Sequence, residues 1–302
     1  MEQNDNYLVR ATALEGAARA FALNSTAVVA ELQRRHGTYP AATAALGRLA
    51  TGALLFGAQL KEADHLVTIR VQGGGPGGTL LASANGAGGV RGLIGNPRPD
   101  VAEVSNGKLN VAGVVGTSGQ LTVIRDLGMR HPYVGTVELV SGEIGQDLAH
   151  YLARSEQIPS AVGIGVFVEA QGSVGAAGGY MVQLLPSAAD GAAEFVEAAI
   201  RALPHPTTML RQGDTPERIL DRIFGPQQYD VLARTPVRFS CSCSRDRAER
   251  AILLLGEGPI REMIAQATDA GHTELQCEFC CESYCFSPAD LEQLRLRRTT
   301  RK

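Results

Sequence analysis

The chain is 302 residues long, with 44% apolar and 20% charged residues and a formal net charge of −3. That is enough for one large globular domain and a small one, and it excludes both a disordered chain and a chain-wide basic field for nucleic acid. No run of apolar residues reaches membrane length, and the polar start from Met1 to Arg10 lacks a signal-peptide core, so no membrane partner, no export and a cytoplasmic setting are expected.

In chain order, a helix is expected from Ser25 or Thr26, either of which can cap it. It carries Val28, Val29 and Leu32, gathers Arg34, Arg35 and His36 at its end, and stops at Gly37. A second helix follows Pro40, with Leu46, Leu49, Ala50, Ala53, Leu54, Gly57 and Leu60 at helical spacing. Its many small residues predict a close neighbour. From Asp64 the period becomes two: His65, Val67, Ile69 and Val71 alternate with Leu66, Thr68, Arg70 and Gln72. Further strands are expected at 80–84, 90–94, 113–115, 121–126, 133–139, 163–169 and 179–185. Among them, Ile144, Leu148, Tyr151 and Leu152 mark one helix.

From residue 187 to 236 the pattern is helical but broken. Phe195, Val196, Ala199, Ile200 and Leu203 form one stripe. Ile219, Leu220, Ile223 and Phe224 form another, opened by Thr215 and Pro216. Pro204, Pro206, Gly213, Gly225 and Pro226 interrupt them, so these short helices depend on neighbours. Beyond 237, one helix carries Ala248, Ile252 and Leu255, and a short one starts near Pro259. A strand pair flanks residues 277–280, and Ser287 to Asp290 reads as a capping box. The fold class expected is α+β: a mixed sheet-and-helix domain (1–186), a metastable helical linker (187–236), a small four-cysteine zinc domain (237–294) and a basic tail (295–302). The tail residues Arg295, Arg297, Arg298, Arg301 and Lys302 read as a solvated terminus.

All six cysteines fall between positions 241 and 285. Cys241 and Cys243 form one pair, Cys277 and Cys280 a second, and residues 244–276 separate them. Two short thiol pairs at such a distance make a four-thiolate metal site, with zinc the expected ion. So small a module has little core of its own, so the metal would supply much of its folding energy. Zinc-bound sulfur remains a thiolate, the species oxidants attack, so such a site serves either as an inert staple or as an oxidant-triggered unfolding switch. Cys281 stands next to the second pair as a competing thiol. Cys285 reads as a buried inert thiol in a strand, and His272 is an alternative ligand.

Other motifs carry less. Gly73 to Gly78 matches a dinucleotide-binding pattern but leads into a strand rather than a helix, which makes it a hairpin turn. Ser118 lacks the nucleophile-elbow spacing, and His131 and His205 sit beside prolines in loops. No catalytic residue is expected, and no cofactor besides zinc. Two other readings remain: a zinc-ribbon nucleic-acid module, suggested by Arg245, Arg247 and Arg250, and a thiol oxidoreductase built on Cys277 and Cys280, which lacks the expected βαβ context.

The chain resembles the Hsp33 family of redox-regulated bacterial chaperones. The resemblance rests on the two cysteine pairs, on Arg154-Ser155-Glu156-Gln157-Ile158-Pro159, and on Ala176 to Gln183 with its Ala-Gly-Gly motif. It extends to Val71 through Pro76 with Arg91 and Gly92, and to Phe239 through Arg245. It covers essentially the whole chain. It implies one zinc per reduced chain on Cys241, Cys243, Cys277 and Cys280, and a non-enzymatic protein. On oxidation it implies disulfides Cys241–Cys243 and Cys277–Cys280, zinc release, unfolding of linker and zinc domain, homodimer formation and ATP-independent holding of unfolding clients. The sequence departs from the family at Cys281, where Gly is common and a left-handed backbone is expected.

Overall fold

The computed structural model describes residues 6–102 and 108–299. The chain divides into two compact units, Met1–Ser240 and Cys241–Lys302. The larger one opens on two strands that the sequence pattern hides, β1 (Tyr7–Ala13) and β2 (Ala18–Asn24). Both faces of β1 are covered. Leu8 enters the core between the sheets while Val9 and Ala11 enter a second core, so no apolar–polar alternation marks the strand.

Helix α1 (Thr26–His36) ends at Gly37, whose φ of 59° is the left-handed stop expected. Ser25 precedes it but does not cap it with its side chain; its hydroxyl instead bonds Thr51 at 2.8 Å. Thr51 lies on α2 (Pro40–Gly57), which is buried from Ala42 through Gly57 apart from the half-buried Arg48. A helix apolar all round belongs inside. Its glycines explain how neighbours come so near. A Cβ at Gly47 would lie 2.6 Å from a Val29 methyl, and one at Gly52 would lie 2.4 Å from Leu148.

Strands β3 (Leu66–Gln72), β4 (Leu80–Asn85) and β5 (Gly89–Ile94) follow, with Val67, Ile69 and Val71 buried as their alternation requires. The strand expected at 113–115 is instead helix α3 (Val111–Val115). Asn110 accepts from the Gly113 amide at 2.8 Å, and burial of Val111, Val114 and Val115 overrides their β preference. Then come β6 (Gln120–Asp126), β7 (Tyr133–Glu138), α4 (Gly145–Arg154), β8 (Ser160–Val168) and β9 (Val174–Leu184).

The segment expected to be a helical linker holds α5 (Ala192–Arg201), α6 (Pro206–Arg211) and α7 (Pro216–Phe224). Thr215 caps α7 by accepting from the Arg218 amide. The segment ends differently, in strand β10 (Tyr229–Pro236), which pairs antiparallel with β1 and is followed by β11 (Arg238–Phe239). Two sheets result, one ordered β10-β1-β2-β9-β8 and one ordered β11-β5-β4-β3-β6-β7. One core holds α2 and the inner sheet faces. The second lies where Val196, Met209, Ile219, Leu220 and Ile223 meet Val9, Ala20, Ala22 and Val182.

The smaller unit comprises α8 (Arg245–Leu255), α9 (Glu257–Ala270), β12 (Thr273–Gln276), β13 (Ser283–Phe286) and α10 (Pro288–Thr299). The capping box is present: the Asp290 amide donates to Ser287 Oγ at 3.2 Å, and the Ser287 amide to Asp290 Oδ2 at 2.9 Å. Arg295 and Arg297 belong to α10 and pair with Glu292, Glu257 and Glu249. The Arg298 side chain, Arg301 and Lys302 lie outside the described residues, as do residues 1–5. No described helix is long and apolar enough to cross a membrane.

Asp147, fully buried at the start of α4, accepts from the amides of Val140, Ser141 and Ile144 at 2.8–2.9 Å and from the Ser141 hydroxyl at 3.1 Å. Removing it strands the buried Ile144 amide and two part-buried donors, the Val140 and Ser141 amides. Asp147→Ala is expected to cost about 2–4 kcal/mol in chemical denaturation, and Asp147→Asn less.

Candidate metal centre

The first thiol pair lies on extended chain just before α8. Ser244 caps that helix, accepting from the Arg247 amide at 3.3 Å, and the Arg247 guanidinium donates back to the Ser242 hydroxyl. Arg245 fastens this segment to the rest of the unit. It donates to the Cys285 carbonyl at 2.7 Å and to Asp290 Oδ2 at 3.1 Å, and its guanidinium sits 4.5 Å from the Phe286 ring centre. With Arg245 and Arg247 engaged inside the unit, two of the three residues behind the nucleic-acid reading are accounted for structurally.

The second pair lies on the turn between β12 and β13. The Cys277 amide donates to the Glu282 carbonyl at 2.9 Å, and the Cys281 amide to the Cys277 carbonyl at 2.8 Å. Cys281 adopts φ 57°, the left-handed conformation expected there, which glycine takes cheaply and cysteine does not. Folding the turn back this way brings Cys277 and Cys280 to one side.

All four sulfurs then lie within 4.8 Å of one another. The contacts between pairs are Cys241 to Cys277 at 3.8 Å and Cys243 to Cys280 at 3.2 Å. A tetrahedron of thiolates about 2.3 Å from a zinc ion has edges of about 3.8 Å, so the cluster has the right size. Among the described residues this is the one His, Cys, Asp or Glu group able to hold a metal ion, and His272, exposed, does not join it. No two cysteines are joined by a disulfide.

Electrostatics make the same demand. Burial raises the Cys277 thiol above its ordinary range, and burial together with the hydrogen bond to Cys243 raises Cys280 strongly. Tyr284 donates its hydroxyl to Cys243 Sγ at 3.2 Å, which pushes the phenol up as well. Four thiols this close resist ionising together without a cation, and a divalent ion is the natural complement. Tyr284 is the residue at the site that sequence reasoning did not single out, and only the fold brings it there. Arg245 stood at the end of the Phe239–Arg245 stretch and in the nucleic-acid reading, and the structure gives it a fastening role instead.

Other expectations resolve plainly. Cys285 is exposed rather than buried, because the alternation of β13 turns Phe286 inward instead. The glycine loop is a packed turn: the Gly75 and Gly77 amides donate to the carbonyls of Val115 and Val114 and so cradle no phosphate. His205 is more than a loop residue. It caps α6, accepting from the Thr207 amide, and burial, then Arg48 and Lys108, hold its imidazole below the usual range.

A family model described as Hsp33 protein matches residues 6–287. A 33 kDa chaperonin of Bacillus subtilis (strain 168) is 44% identical over 294 residues, covering 97% of this chain and 99% of the relative. One of Enterococcus faecalis is 41% identical over 301 residues, covering 99% and 100%. The crystal structure of a 33 kDa chaperonin, a heat shock protein 33 homolog from Thermotoga maritima, matches with TM-score 0.91 and 35% identity. That match covers 98% of this chain and 99% of that one.

Cys280→Ser is expected to abolish tight metal binding. Cys281→Gly should retain one metal per chain and stabilise the loaded form by about 1 kcal/mol. A chromogenic chelator assay with thermal melts checks both. Because the raised thiols must lose protons to bind metal, affinity should fall from mildly alkaline to mildly acidic pH, read by chelator competition.

Proposed function

The chain belongs to the Hsp33 family, whose members are chaperones and not enzymes, and on that footing we propose that it is a redox-regulated, ATP-independent holdase. The observation that carries the reading is the cluster of four thiols within 4.8 Å in a unit with a small core. Its core is built on Ala248, Ile252, Ile260, Ala267, Phe286, Leu291 and Leu294. Cys241, Cys243, Cys277 and Cys280 would hold one zinc ion, supplying on the order of 10–16 kcal/mol of apparent folding free energy at such a site. That is comparable with the whole stability of an ordinary domain, about 5–15 kcal/mol.

The switch follows from thiol chemistry. In each pair, two thiolates would give two electrons to a peroxide, whose O–O bond breaks and which takes two protons from solvent to give two waters, while one S–S bond forms. The pairs would be Cys241–Cys243 and Cys277–Cys280. Disulfide sulfur is a poor metal ligand, so oxidation removes the tie that holds the hairpin against the start of α8. Residues 237–294 would then unfold.

Residues 187–236 supply the linker in this reading. Helices α5, α6 and α7 are short and separated by proline and glycine; α6 and α7 hold on to the five-stranded sheet through one apolar face each, and α5 packs on α7. Melting them would uncover Val9, Ala20, Ala22 and Val182 together with their own stripes, a surface suited to unfolding clients. The oxidised form would be a homodimer, in a cytoplasm that keeps the resting thiols reduced. No membrane or nucleic-acid partner is part of the proposal.

The first test is light scattering of a thermally unfolding client, with the protein reduced and zinc-loaded or oxidised by peroxide. Suppression only after oxidation is expected; equal activity of both forms rejects the switch. Removing zinc under reducing conditions should abolish ellipticity from the helices of the smaller unit while the larger one still melts cooperatively. Mass spectrometry of the oxidised chain should find two disulfides. A Cys280–Cys281 or Cys277–Cys281 bond instead would overturn the proposed pairing.

A further inference from the structure

β7 is an edge strand of the six-stranded sheet. It is exposed along most of its length: Tyr133 is 47% and Val134 54% accessible, and of its six residues only Gly135 is buried. Gly135 is held down by α4, where an added Cβ would lie 2.6 Å from Ser155 Oγ. The other side of the strand is bare. Among the described residues, Tyr133 to Glu138 make no backbone hydrogen bond outside the ladder with β6. Half of the strand's amides and carbonyls therefore point to solvent.

Proteins usually blunt such an edge with charge, proline or a covering element. The other edges here are blunted. β10 presents Asp230, Arg234 and Pro236, with Arg234 paired to Glu217 at 2.7 Å. β8 has α4 and α6 packed against it, and β11 covers part of β5. α4 packs on one face of β7, with Pro132 before the strand and Glu138 at its end, but among the described residues no strand pairs with its free edge, and Tyr133 to Val137 carry no charged side chain. Exposed Met129 lies just upstream and exposed Val140 just downstream.

We infer that the open edge of β7 is a docking site for an extended, uncharged segment of an unfolding client, which adds to the sheet as a seventh strand. An unfolding chain is extended, has its own amides and carbonyls unpaired, and is not selected by sequence. An edge strand answers those properties, because backbone pairing is blind to side-chain identity. A second copy of this chain fits less well. Two strands of this length, about 20 Å long and about 5 Å apart, cover far less than the ~1,200–2,000 Å² of a stable interface. Weak, transient pairing is what remains. This inference rests on the holdase reading for its occupant, but the edge involves no cysteine and is present in either redox state. Oxidation would add apolar surface for the same client, and the two contacts together would bind more tightly than either.

The test uses the full chain, reduced and zinc-loaded and separately oxidised. The probes are a fluorescent peptide of alternating valine and threonine and the same peptide N-methylated at alternate residues. Anisotropy is expected to show binding in both redox states and weakening of roughly tenfold or more on N-methylation, since several backbone bonds are lost. Val134→Lys should weaken the unmethylated peptide similarly while Val134→Thr leaves it unchanged, with melting curves confirming that both variants are folded. Absence of peptide binding, equal binding of the methylated peptide, or indifference to Val134→Lys overturns the inference. So does sedimentation showing a reduced wild-type dimer that Val134→Lys dissociates. Peptide binding as expected, in a chain that never suppresses aggregation, supports the edge site and rejects the holdase reading instead.

Discussion

Four thiols crowded within 4.8 Å cannot all ionise without a cation, and the small unit around them has too little core to hold them together unaided. Everything in the smaller unit is arranged about that tension. Arg245 ties the start of α8 to β13 and α10, the left-handed turn at Cys281 aims Cys277 and Cys280 inward, and Tyr284 supports Cys243 from the side. None of these contacts substitutes for a central ion. In the proposed reading the stability of this unit rests on that one chemically labile point, and oxidation of the thiols would remove it.

The larger unit is built on the opposite principle. α2 is buried nearly throughout, and glycines at 47 and 52 let α1 and α4 side chains approach to distances no larger residue would permit. The buried Asp147 anchors the entry to α4 through three backbone amides. Between these extremes lie α5, α6 and α7, which have an apolar face each but little length. They depend on the sheet beneath them, whose outer core is rich in alanine and has little to interlock. Packing is therefore graded along the chain, from a dense core through lightly held helices to a small unit whose core is slight and whose four thiols could hold a metal ion.

The edge strands of the larger unit are managed differently: β10 is protected by charge, proline and an ion pair, whereas the free edge of β7 is left open. An open edge on a rigid scaffold can bind an extended chain without the scaffold itself rearranging.

The sequence alone determined the elements whose pattern is local. The glycine stop of α1, the stripe of α4, the Thr215 cap, the Ser287–Asp290 box and the two thiol pairs are set by neighbours within a few residues. The left-handed backbone at Cys281 was expected from the family resemblance, in which Gly is common at that position. What the sequence did not reveal depends on contacts far along the chain. β1 and β2 are buried on both faces and so show no period; β10 becomes a strand only because β1 offers an edge; and 113–115 turns helical because burial outweighs the β preference of valine. Cys285 was expected inside, but the register of β12 and β13 turns it out. That the four thiols meet at the spacing of a tetrahedron was a matter of tertiary structure too. Thirty-three intervening residues, carrying α8, α9 and β12, must fold back first, and only packing decides how far apart their ends come to rest.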